Sequence, residues 1–561
     1  MYPLRWMPRL TLLAMLGPVV AGLLGALAPA FGWMPAIGAQ RLGFQAFESV
    51  LNWPGFATAT RLSLTTGLLS TGISLGIVAL IVAGWNGTRA FEALRRLLSP
   101  LLSIPHAAAA FGLAFLIMPS GWILRLLSPW ATGFERPPDW LVVQDPWGLA
   151  LVAGLVVKEV PFLLLMTLAA LPQTQESKAR AVSAALGYSK IRGWLITVFP
   201  QIYDQIRLPV YVVLAYAMTV VDVALILGPT TPSTLSVQIL KWIGQPDLSF
   251  RLWAAAGGII QLLLVIGALG VWRLGEIALG RWARRQVVQG HRGRFDKTLQ
   301  VAGLTLGAFI AGAVLFGLLS LALWSVAGLW RFPDLLPDAL TWRTWQRHGG
   351  NLTELFARTS FIAGTSAALA LALSLACLEA EARFGMKNAT RTLWLLYVPL
   401  LVPQTVFLPG LQTGMIAAGV VGGTGAVILA HLVFVLPYVF LSLSDPFRAL
   451  DPRYAVIAQA LGKGENAVFW RLRVPLLLTP ILTAFAVGFA VSVGQYLATL
   501  LPGAGRVSTL TTEALALASG GDRRAIGAFG LMQTFAPIVP FVFAVFVPRL
   551  IYRNRRGLLN G

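Results

Sequence analysis

Residues 184–200 read Ala-Ala-Leu-Gly-Tyr-Ser-Lys-Ile-Arg-Gly-Trp-Leu-Ile-Thr-Val-Phe-Pro, and residues 459–475 read Gln-Ala-Leu-Gly-Lys-Gly-Glu-Asn-Ala-Val-Phe-Trp-Arg-Leu-Arg-Val-Pro. Each stretch holds Ala-Leu-Gly, twelve further residues and Pro, and the step from Gly187 to Gly462 equals the step from Pro200 to Pro475. One segment has been used twice. Each copy lies between long apolar runs yet is itself basic and broken by Gly and Pro. It therefore reads as a structured loop at a membrane surface, not as a span.

The surrounding composition fits that reading. The chain of 561 residues is 57% hydrophobic and 12% charged, with a mean hydropathy of +0.74, far from the makeup of soluble domains. Apolar runs of spanning length fall near 10–31, 61–84, 97–118, 146–171, 207–228 and 252–275, and again near 301–326, 356–378, 393–418, 423–443, 477–501 and 525–548. Runs of about twenty residues close their own backbone hydrogen bonds as helices, whereas barrel strands are half as long and alternate. The expected fold is an all-α polytopic membrane protein with about twelve transmembrane helices in two parallel repeats of six. Parallel repeats lie side by side, and a route can run between them.

The net charge of +21 does not point to nucleic acid, because the bases are scattered over short inter-span segments without a recognisable module. They report topology instead: with the N-terminus in the cytoplasm, Lys and Arg concentrate in the cytoplasmic segments, the tail with Arg549, Arg553, Arg555 and Arg556 among them. Both loops and both termini are then cytoplasmic. Arg5 and Arg9 precede an apolar run at 11–31 that resembles a secretory signal, but an uncleaved first span is the expectation. The expected division is 1–60, first span and outer segment; 61–276, first repeat domain; 277–300, basic linker held at the anionic leaflet; 301–355, seventh span and outer segment; 356–550, second repeat domain; and 551–561, basic tail.

Cys377 stands alone, and His106, His291, His348 and His431 have no metal-ligand spacing, so no disulfide, metal site or catalytic residue is expected. No stretch fits a phosphate-binding loop: the glycines of 419–425 lack a following Lys, and Gly462-Lys463-Gly464 lacks the upstream Gly and the hydroxyl. No nucleophile elbow or zinc-protease signature is present, which argues against a membrane enzyme.

The loops themselves have a physical reading. Ala181, Ala184 and Ala185 lie three and four apart, a small-side-chain face on a helix that Gly187 would end; Lys190 and Arg192 follow at the surface, and Pro200 and Pro209 mark re-entry. In the second copy Ala455, Ala458 and Gln459 take that part, Gly462 and Gly464 break the helix, Arg471 and Arg473 follow, and Pro475 closes it. Lys158, Glu159 and Asp222 fall within spans, where a charge costs about 2.5–3.5 kcal/mol; a Lys158–Asp222 salt bridge and a place in the route both remain open. Gln495, His106 and His431 read as interhelical hydrogen-bonders, and the pairs Gly72 with Gly76 and Gly303 with Gly307 as helix-packing contacts.

The Gly-x12-Pro loops resemble the EAA loop of the permease subunits of ABC importers, whose consensus is Glu-Ala-Ala, three residues, Gly, nine residues, an aliphatic, one residue and Leu-Pro. Here the opening triplets are Ala181-Val182-Ser183 and Val456-Ile457-Ala458, so both lack the Glu, and Val-Phe-Pro and Arg-Val-Pro replace the usual ending. The resemblance covers about 61–276 and 356–550 and is similar to a fused pair of MetI-like domains of the iron(III), thiamine, sulfate and molybdate group. There Gly-Glu-Phe followed by Ala-Thr-Leu recurs after the loop, and this chain has Gly494-Gln495-Tyr496-Leu497-Ala498-Thr499-Leu500. The resemblance implies a bacterial inner-membrane location, two cytoplasmic ATPase subunits docked on the loops, and an external solute-binding protein. It also implies that ATP binds the partner and that this chain carries no cofactor. Lys158, Glu159, Asp222 and Gln495 are the path candidates. The rival is an ion-coupled secondary transporter using Lys158, Glu159 and Asp222. The sequence does not name the substrate.

Overall fold

In the computed structural model, which describes residues 3–293, 295–386, 390–419 and 422–553, the apolar runs are helices. Arg294, Arg555, Arg556 and part of the 419–425 glycine run lie outside the described residues. The strands among those described are the pair Trp33–Met34 and Ala39–Gln40. Among the described residues nine helices are long and apolar enough to cross a membrane, or eleven if two sharply bent pairs each count as one. The twelfth expected run, 207–228, is a helix Phe199–Thr219 with Asp204 and Arg207 near its start, a break at Val220 and Val221, and a short helix Asp222–Leu227.

Proline explains the main interruptions. Pro105 separates the 3-10 turn Ser99–Ser103 from His106–Ile117, and Pro403 separates Thr390–Leu401 from Gln404–Ala417 with a bend of 86°. A proline lacks the donor N–H and pushes the preceding residue out of the helical region. The repeat extends to packing. Phe56–Trp85 packs on Leu149–Ala170 and Phe199–Thr219 in the first half, as Arg343–Phe384 packs on Thr424–Arg448 and Leu478–Val493 in the second. A hydroxyl of the first of these helices caps the segment after the break in each half: Leu235 N donates to Ser63 Oγ at 3.0 Å, and Leu510 N donates to Thr359 Oγ1 at 3.0 Å.

The first helix of each half crosses to the other half. Met7–Ala30 packs on Gln404–Ala417, and Asp296–Ser325 packs on His106–Ile117. Paired glycines permit the approach. A Cβ on Gly410 would run into the Gly22 carbonyl oxygen, and one on Gly112 would stand 2.8 Å from the carbonyl carbon of Gly317. Gly303 and Gly307 do pack closely, on Ile81 and its neighbours; Gly76 faces open space and Gly72 only the rim of Trp272, so that expected contact is not made. The buried amides also join the halves, with Thr405 Oγ1 donating to Gln261 Oε1 at 2.8 Å.

The basic linker is not a free strand. Helix Phe250–Val288 carries the chain well past the apolar run, and Asp296–Ser325 begins soon after it. The linker end of Asp296–Ser325 lies against the first loop, and the Phe384 end of Arg343–Phe384 lies against the second.

Candidate functional site

Both loops end their first helix in the same way. Helix Glu176–Ala185 is followed by Leu186 and by Gly187 at φ +78°, and helix Arg453–Ala460 by Leu461 and by Gly462 at φ +75°. Gly187 N donates to Ala184 O at 2.9 Å and Tyr188 N to Ser183 O at 3.0 Å; Gly462 N donates to Gln459 O at 2.9 Å and Lys463 N to Ala458 O at 3.0 Å. These are matched Schellman closures, which satisfy the last carbonyls and require the left-handed residue that glycine supplies. A Cβ at either glycine would meet nothing within 4 Å, so the requirement is one of backbone and not of space. Gly464 has φ −66° at the start of Glu465–Val468 and takes up no left-handed strain.

The outward faces are more apolar than the alanines alone imply. Ala181, Ala184 and Ala185 are exposed, as are Val182 at 59% and Leu186 at 57%, while Ser183 turns inward. In the second loop Ala455 and Ala458 are half-buried, and the exposed side chains are Val456, Ile457 and Leu461, the last at 74%. Val456, Ile457 and Leu461 stand in register with Ala181, Val182 and Leu186. Sequence reasoning passed over them, although the repeat register contained the signal. Pro200 occupies the first turn of Phe199–Thr219, and Pro475 lies in Val474–Leu476 after a five-residue π turn, Phe469–Arg473.

The two loops are held by different chemistry. In the first, Lys190 Nζ donates to Gly84 O at 2.7 Å and Arg180 to the carbonyls of Ala83 and Val82, cations on the open C-terminal end of Phe56–Trp85. Burial and the nearby Arg180 draw Lys190 below its ordinary pKa, with Asp296 pulling the other way. The linker closes over this loop: Ser189 N donates to Arg292 O at 3.0 Å, Arg192 Nε to His291 O at 2.9 Å, Ile191 N to Asp296 Oδ2 at 3.2 Å, and the Arg292 guanidinium lies 4.6 Å from the Tyr188 ring centre. In the second, Glu379, 2% exposed, receives Arg383 and Arg473, Arg383 reaches on to Asn466 at 3.0 Å, and Arg448 pairs with Glu381 at 2.9 Å. Tyr552 Oη donates to Pro475 O at 2.7 Å. A cavity of about 290 Å³ lies behind this helix, lined by Glu381, Arg448, Tyr454, Ala455 and Arg473 among others.

Within the spans, Lys158 and Asp222 do not form the expected pair. Lys158 Nζ donates to Leu101 O at 3.0 Å and Ile104 O at 2.6 Å, in the turn that Pro105 separates from the next helix. Glu159 has His106 Nε2 at 3.8 Å, and Asp222 opens the short helix after the break. Gln495 sits half-buried at the matching break of the second half, between Leu478–Val493 and Leu497–Leu500. His431 is fully engaged, with Nδ1 2.7 Å from Ser492 Oγ and Nε2 3.0 Å from Thr499 Oγ1. Cys377 is buried and free.

Residues 368–556 match the family described as binding-protein-dependent transport system inner membrane component. Over 558 residues, 99% of each chain, the sequence is 31% identical to the inner membrane ABC transporter permease protein YnjC of Escherichia coli strain K12. It is 29% identical over 28% of its length to 66% of the molybdenum transport system permease protein ModB of Mycobacterium bovis. It is 24% identical over 20% of its length to 43% of the spermidine/putrescine transport system permease protein PotC of Haemophilus influenzae.

Proposed function

The chain belongs to the ABC transporter permease family of binding-protein-dependent transport systems, as a multi-pass membrane permease of an ABC importer, and from that premise we propose how its two halves are used. Each Gly-x12-Pro loop docks one ATPase subunit, so a single chain takes two. Both loops and both termini face the cytoplasm, a soluble binding protein delivers the solute from outside, and the route runs between the halves past Glu159 and Asp222. ATP is bound by the partner and not by this chain.

The observation that supports this most is the matched pair of glycine-closed helices, each presenting exposed apolar side chains that no described residue covers. A valine and a leucine on the first face, and a valine, an isoleucine and a leucine on the second, are costly to leave in water and gain by entering a partner's groove. The ion-coupled carrier reading loses its Lys158–Asp222 couple, because Lys158 is engaged by backbone carbonyls. The test is co-purification of the ATPase with Val182→Glu and Ile457→Glu combined. Loss of the ATPase at normal permease abundance is expected, and unchanged recovery contradicts the docking surface.

A further inference from the structure

The charges buried among the spans are unequally satisfied. Lys158 gives its ammonium to two carbonyls and is occupied. Glu159, 4% exposed, has only the His106 imidazole, at 3.8 Å, which is beyond hydrogen-bond range. Asp222, 8% exposed, has backbone N–H groups, its own and that of Val223, and stands in the field of the same His106 imidazole. Neither carboxylate has a hydrogen-bonded cation among the described residues. A buried charge left in this state is costly and marks a place where a partner is missing.

Aromatic rings from both halves gather around these carboxylates. The His106 ring lies 5.0 Å from that of Tyr216. Tyr216 stands in the electrostatic field of both Asp222 and Glu159, Tyr438 of the second half in that of Glu159, and Tyr496 of the second half in that of Asp222. Tyr216, Tyr438 and Tyr496 are half-buried and the His106 side chain is 37% exposed, although most of the residues flanking them are buried. Each ring therefore keeps part of its surface accessible. In the repeat register Glu159 corresponds to Phe434 and Asp222 to Leu497, so both carboxylates come from the first half while the rings come from both.

We propose that this constellation is a binding position for a small organic cation, the class of solute the permease passes. The carboxylates complement its charge and the tyrosine faces attract it through the ring quadrupole. An anion would meet two carboxylates against the single His106 imidazole, since Lys158 is held by carbonyls and His431 by two hydroxyls. The inference rests on the importer reading but fails separately from it: ATPase recruitment tests that reading, and binding by the permease alone tests this one.

The experiment is thermal melting of the purified full-length permease in lipid nanodiscs at constant ionic strength, with tetraethylammonium and putrescine as cations and sulfate and molybdate as anions. The expected result is a saturable rise in melting temperature with at least one of the cations and none with the oxyanions, a comparison that needs no variant. Glu159→Gln and Asp222→Asn should each weaken the cation midpoint about tenfold, the loss of one interior charge partner. Tyr496→Phe should keep it and Tyr496→Ala should lose it. No saturable shift with either cation, a shift with the oxyanions, or midpoints unchanged in both carboxylate variants and in Tyr496→Ala, overturns the proposal.

Discussion

A helix that closes on a left-handed residue accepts asparagine more readily than valine, because a short polar side chain tolerates that conformation and a β-branched one does not. Gly187 and Gly462 have nearly the same φ and equally open surroundings, so valine should cost each loop a similar amount, about 1–2 kcal/mol. Gly464, close behind Gly462, has ordinary backbone and creates no difference between the loops. Gly187→Val and Gly462→Val should leave the permease inserted while uncoupling ATP hydrolysis from uptake, and Gly187→Asn should retain most uptake; equal loss in the Asn and Val variants would speak against the backbone argument. Lys158 gives a second residue-level expectation. Lys158→Met leaves the Ile104 carbonyl short of its donor and should destabilise by about 1–3 kcal/mol. In a cycle with Asp222→Asn the coupling should stay within about 0.5 kcal/mol of zero, as for residues without a shared partner; a coupling well above that would restore the salt bridge.

At the scale of elements, the two loops differ in what holds them. The linker clasps the first through backbone acceptors and one cation–π contact, and buried ion pairs pin the second to the end of Arg343–Phe384. A side chain on Gly293 would strike Ser189 Oγ. Gly293→Val should therefore loosen the clasp and speed hydrogen exchange over 186–192 while leaving exchange over 461–468 unchanged; equal change in both would show that the linker does not act locally. What was legible here follows from range. The helix closures could be read from the sequence because a Schellman motif is local and glycine marks its position. Lys158's partners could not, since the carbonyls of Leu101 and Ile104 carry no side-chain signal. The anchor at Glu379 and Glu381 had a visible sign, two acids at the basic end of an apolar run, but the partners Arg383, Arg448 and Arg473 come together only through packing.

The whole molecule is a pair of interleaved halves. Each first helix is spent on the opposite half, and glycines set that distance, Gly22 with Gly410 and Gly112 with Gly317. A Gly112→Leu change overpacks this crossing and should cost roughly 1–3 kcal/mol, seen as a lower melting temperature, whereas Gly76→Leu, which faces open space, should be neutral; the reverse order would contradict the interleaving. The repeat and its parallel sense were legible because Gly, Pro and apolar runs recur in register. The crossing was not, because small-residue pairs name a contact without naming its partner. The central claim, that one chain offers two equivalent docking loops, is tested most directly by the stoichiometry of the intact complex in native mass spectrometry. The account predicts two ATPase subunits per permease, falling to one with Val182→Glu or with Ile457→Glu alone; a single ATPase on the unaltered chain, or two retained in both variants, would contradict it.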